Sequence, residues 1–80
     1  MTVEEIYVCI DSAIAKCKDC GDHDLAERLD DALHLGSSGL EILGAIGHIL
    51  KRERIKANNL IGEKKVQGII EFIESSYGLR

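Results

Sequence analysis

Cys17-Lys18-Asp19-Cys20, followed by His23, is the densest group of reactive side chains in this 80-residue chain. Two thiols two residues apart, with an imidazole three positions on, are the types that bind zinc or exchange disulfides. Redox work needs a thiolate, which a helix N-terminus stabilises. This pair falls at the expected C-terminus of a helix, where the dipole opposes negative charge. A zinc site needs a fourth ligand, and Cys9 lies turns away along the same helix. A metal-binding regulatory module using Cys17, Cys20 and His23 is therefore the alternative to a simpler reading, in which the cysteines act as small hydrophobes. Three cysteines in one helix make no disulfide framework, which fits a reducing cytoplasm.

His23, Glu27, Asp30 and His34 recur at intervals of four, three and four. That spacing places them in one stripe on a helix, with Asp31 beside it and the leucines opposite. Histidines and carboxylates one turn apart can share a divalent ion, but only neighbouring pairs are close enough here. The stripe needs no metal to be useful, because an acidic face suits a basic protein partner. Elsewhere no nucleophile, base and orienting group stand at a recognisable spacing, so no catalytic residue is assigned and no cofactor is expected.

Four helices are expected to position these groups. The first starts at Thr2, capped reciprocally by Glu5, and runs to Cys20 before Gly21, with Val3, Ile6, Tyr7, Ile10, Ile14 and Cys17 on one face. The second begins at Asp22 or Asp24 and ends before Gly36, burying Leu25, Ala26, Leu29, Ala32 and Leu33. The third runs from about Gly39 to about Lys56 and is apolar over more than half its circumference, as a central helix would be. Ser38 caps it, with Glu41 three residues on. Asn58-Asn59 then marks a turn, and the fourth helix carries Val66, Ile69, Ile70, Ile73 and Tyr77 before Gly78. The expectation is an all-α compact bundle of about four short helices in a single domain spanning residues 1–80.

Gly44 and Gly47 would each cost a helix interior about 1 kcal/mol relative to alanine, so a close helix approach should offset them. On the last helix, Phe72 lies off the main stripe, in line with Gly68 and Ile61. These three form the candidate seam for a homodimer.

Charge is unevenly distributed along the chain. Residues 1–50 hold ten acidic side chains against Lys16, Lys18 and Arg28, whereas residues 51–65 hold six basic side chains against Glu53 and Glu63. The basic stretch raises nucleic-acid association as a third reading. No aromatic residue is interleaved with it and the whole chain is acidic, at net −4, which argues against that reading. The longest mostly apolar run, Leu40 to Leu50, is too short to span a bilayer, and the start Met-Thr-Val-Glu-Glu is acidic where a secretory signal would be basic. The Gly36-Ser37-Ser38-Gly39 turn could cradle an anion, but Glu41 occupies that first turn and capping is the better account.

The run Gly36-Ser37-Ser38-Gly39-Leu40-Glu41-Ile42-Leu43 resembles the central segment of small uncharacterised bacterial helical proteins, in which a Gly/Ser/Thr turn leads into Gly-x-Glu-Ile-Leu. The resemblance spans about twenty residues, from Leu33 to Lys51. It implies a bacterial cytoplasmic protein and carries no active site to any residue. The expected function is a non-catalytic cytoplasmic protein-interaction domain. Its concrete form is a small acidic immunity- or antidote-type protein that masks a basic partner with His23, Glu27, Asp30, Asp31 and His34.

Overall fold

A computed structural model of the chain describes residues 2–35 and 38–77. The described residues form an all-α bundle of five helices: α1 (Val3–Asp19), α2 (His23–Leu33), α3 (Gly39–Arg52), α4 (Arg54–Ile61) and α5 (Glu63–Tyr77). Gly36, Ser37, Gly78 and the Tyr77 side chain, which figured in the expectations above, lie outside the described residues.

Local chemistry sets the helix ends. The Thr2 hydroxyl accepts from the Glu5 N–H and the Glu5 carboxylate accepts from the Thr2 N–H, each at 3.2 Å, which satisfies two donors that the first turn of α1 leaves unpaired. At the other end Gly21 adopts φ +81°, its N–H reaches the Lys18 carbonyl at 3.2 Å, and the Asp22 N–H reaches the Cys17 carbonyl at 2.8 Å. This pair of bonds closes a helix through a left-handed glycine. The chain then restarts at once, because Asp22 caps α2 by accepting from the Leu25 N–H. Ser38 caps α3 in the same way, accepting from Glu41 N–H at 3.3 Å.

The region after α3 departs from the expected single helix and Asn-Asn turn. The expected third helix breaks at Glu53 (φ −106°, ψ 42°), and Asn58 and Asn59 sit inside α4. The turn falls at Gly62, with φ +106° and ψ 137°, a conformation that only glycine adopts without strain. The Glu53 break swings a short helix inward, so that Ala57 is buried while Leu60 and Ile61 pack against the core. The ammonium of Lys16 on α1 donates to the Leu60 carbonyl at 3.1 Å, satisfying an acceptor in the last turn of α4.

The helices close a ring in which α1 packs on α2 and α4, α2 on α3, and α5 on α3 and α4, while α3 also touches α4. Inside it lie Ile6, Ile10 and Cys17 of α1, Leu25 and Leu29 of α2, Leu43, Ile46 and Leu50 of α3, and Val66, Ile69 and Ile73 of α5. Among the described residues no polar or charged residue is buried. α3 is less enclosed than its composition suggests: Leu40 is exposed, and Ile42, Ala45 and Ile49 are half-buried. Gly47 explains part of its glycine content, since a Cβ there would lie 3.3 Å from Ile73 Cδ1 of α5. The close approach anticipated for the glycines is thus intramolecular at this position.

Candidate interaction surface

α2 buries Leu25, Ala26, Leu29 and Ala32 and turns every member of the charged stripe outward. His23, Glu27, Asp30, Asp31 and His34 are all exposed. The His34 ring nitrogen Nδ1 lies 2.8 Å from the Asp30 carbonyl and 3.7 Å from its carboxylate Oδ1, which ties the imidazole to its own helix. Glu27 and Asp31 form no ion pair, and no lysine or arginine reaches Asp30, among the described residues. This face carries acidic charge that no lysine or arginine neutralises among the described residues.

The inner edge of the same helix behaves differently. Arg28 bonds Asp24 at 2.5 Å and Glu53 at 3.1 Å, so it links α2 to the break between α3 and α4. Lys56 of α4 bonds Asp22 at 3.2 Å, so that residue caps α2 and anchors α4 together. The Leu25 N–H, and after it Lys56, hold the Asp22 carboxyl below the ordinary aspartate range. Nothing in the helical periodicity marks residues 22 and 56, or 28 and 53, as partners. The only advance signal is opposite charge.

Half of the basic stretch is taken up by the fold. Lys51 bonds Glu74 of α5 at 2.5 Å, Lys56 bonds Asp22, and Arg54 donates to the Gln67 side chain, which in turn donates to Glu71 at 2.8 Å. Three of its six cations therefore hold helices together, Lys51 and Arg54 reaching α5 and Lys56 the N-cap of α2. A phosphate backbone would need them aligned on one face.

The cysteine cluster does not assemble. Cys17 is fully buried, whereas Cys20 is exposed beyond the helix end and Cys9 is half-buried. Burial, followed by the charges of Asp22 and Cys20, pushes the Cys17 thiol up, away from the thiolate a metal or a redox step requires. Among the described residues no group of three or more His, Cys, Asp or Glu side chains is placed to hold a metal ion. The structure thus does not bring Cys17, Cys20 and His23 together as a ligand set.

Ile61, Gly68 and Phe72 do not share one helical line. Ile61 ends α4 before the Gly62 turn and lines an interior crevice with Ala13, Leu29 and Ala57, whereas Gly68 lies on α5 beside Arg54, Gln67 and Glu71. Phe72 is half-buried and packs against the core. The expected stripe assumed a single helix across Gly62, and the positive φ there breaks it.

Sequence reasoning passed over Val8, Leu35 and Ile55 and counted Leu40 in the apolar arc of the third helix; among the described residues the fold leaves all four exposed. Ile55 had a readable signal, being a single isoleucine between Arg54 and Lys56. Among the described residues no helix is long and apolar enough to cross a membrane. Comparisons with protein-family models, curated proteins and solved structures return no match.

Proposed function

We propose that this chain is a non-catalytic protein-interaction domain that presents the outer face of α2 to a basic protein partner. One observation carries the reading: His23, Glu27, Asp30, Asp31 and the C-cap His34 are all exposed along α2, and among the described residues no lysine or arginine reaches Glu27, Asp30 or Asp31, whereas the neighbouring exposed Asp24 is paired with Arg28. Unneutralised charge on a rigid element accelerates encounter with an oppositely charged partner and selects against others. The finer form of the proposal is an immunity- or antidote-type role, in which the acidic face covers a basic functional surface. Small size and net negative charge support it.

The test is affinity purification of the full chain from cells that co-express its genomic neighbours, beside a Glu27→Lys/Asp30→Lys variant. The wild type should retain a basic protein that elutes as salt rises toward about 1 M, where charge interactions are screened beyond about 3 Å. The double variant should associate with that protein about tenfold more slowly or worse. Equal retention by both proteins refutes the proposed face.

A further inference from the structure

Of the five helices α4 buries least: Ala57 alone is fully enclosed, and Ile55 near its start is 79% exposed. It is bounded by two irregular backbone positions, Glu53 at φ −106° and ψ 42° and Gly62 at φ +106°, the second open without strain to glycine alone. Polar bonds at its edges do the rest. Lys56 reaches Asp22 at 3.2 Å, Lys16 donates to the Leu60 carbonyl at 3.1 Å, and Arg54 donates to Gln67. Exposed links of this kind are individually weak. Closure also leaves the Asn58 side-chain oxygen buried with no donor among the described residues, and a buried acceptor without a partner favours a state that returns it to water.

Beneath α4 lies a crevice lined by Ala13, Leu25, Leu29 and Leu50 of the three preceding helices, with Ala57 and Leu60 of α4 across it. Cys17 is fully buried and stands one turn beyond Ala13 on the same face of α1. Burial is the main influence on its thiol, and the charges of Asp22 and Lys56, the pair that ties α4 to α2, act on it as well. Taking α4 away would leave α1 packed on α2, α2 on α3 and α3 on α5. We infer that α4 is a strap that opens as a unit about Glu53 and Gly62, uncovering the crevice and the Cys17 thiol while the other four helices stay folded. Access to Cys17 is then gated by local opening and not by unfolding of the whole chain. This inference does not rest on the basic-partner reading, because the outer face of α2 takes no part in it.

Amide hydrogen exchange of the full chain, beside an Ile6→Val variant, tests it. Ile6 is fully buried in α1, two turns before Ala13, so trimming it weakens the closed and strap-open forms alike against the unfolded chain. In the wild type the amides of residues 57–62 should be protected at least about tenfold less than the slowest amides of α1 and α3. Ile6→Val should speed those slowest amides by about two- to tenfold and leave the α4 amides unchanged. Lys56→Gln, which removes a bond made only in the closed form, should instead speed the α4 amides by about two- to fivefold. In a Cys9→Ser/Cys20→Ser background, maleimide labelling of Cys17 should be as insensitive to Ile6→Val as the α4 amides are. Amides of α4 as slow as the slowest of α1, or quickened in step with them by Ile6→Val, overturn the strap. Labelling of Cys17 that follows the α1 amides and not those of α4 overturns the gating of the thiol.

Discussion

Glu27, Asp30 and Asp31 on α2 and Lys51, Arg54 and Lys56 around the α3–α4 break are comparably charged stretches of sequence with different fates. The cations each reach a side chain on another helix: Glu74, Gln67 and Asp22 respectively. The acids reach no lysine or arginine among the described residues. The difference follows from what lies on the far side of each helix. α2 buries a full apolar stripe and needs no further anchor, whereas α4 buries only Ala57 completely and depends on peripheral bonds for its placement. Exposed ion pairs contribute about 0–1 kcal/mol each, so the Lys56 link to Asp22, with the Arg54 bond to Gln67, orients a short helix more than it stabilises the fold. Charge left over from that task is what remains available for recognition.

The sharpest way to break this contrast is within α2 itself. Leu29→Ala should cost about 2–5 kcal/mol in urea denaturation, since it empties a fully buried position. Its neighbour Asp30→Ala should stay within about 0.5 kcal/mol. A loss at Asp30 approaching that at Leu29 would mean that the outer face is part of the fold and not free for a partner.

Gly62→Ala should have the next largest effect, about 1–3 kcal/mol, as a non-glycine residue is forced to φ +106°. Beyond its two chain neighbours, no atom of the described residues lies within 4 Å of the added Cβ, so the cost is conformational and not steric. Thermal unfolding with an unshifted midpoint would show that the α4–α5 turn relaxes, and with it the corner that orients Arg54.

The smallest effect belongs to Asp22→Asn, which keeps a capping acceptor but removes the charge facing Lys56. The folded-state pKa of Asp22 is depressed, first by the Leu25 N–H and then by Lys56, so its contribution is present above the unfolded value of about 3.9 and is lost as pH falls through the folded value. The urea midpoint of the wild type should therefore fall across that acid window more steeply than that of Asp22→Asn. Parallel curves would place Lys56 away from Asp22 in solution and loosen the tie between α2 and α4.

Much of the helical frame was legible beforehand. Thr2 with Glu5, Gly21, Asp22 and Ser38 were all readable as caps or stops, because each acts on backbone groups within a few residues. The inward stripes of α1 and α2 were readable for the same reason, periodicity being a local property. Reading failed between Lys51 and Gly62. Apolar residues continue across Glu53 without a proline or glycine to mark the break, and Asn58-Asn59 has turn-forming side chains that the packing of Ala57, Leu60 and Ile61 keeps helical. The Ile61–Gly68–Phe72 line was drawn through that error, which is why the structure divides it between two helices.

By itself the sequence determined an all-helical chain, the capped starts of its first three helices, and an outward acidic stripe on α2, because hydrogen-bond capping and helical periodicity act over three or four residues. Only the tertiary structure decided that Cys17 is buried while Cys20 is exposed, that Lys51, Arg54 and Lys56 are committed to other helices, and that Leu35, Leu40 and Ile55 are left in water. Those outcomes depend on which helices meet. A pair such as Asp22 with Lys56, or Arg28 with Glu53, joins residues whose separation carries no periodic signal, so its formation follows from packing and not from local spacing.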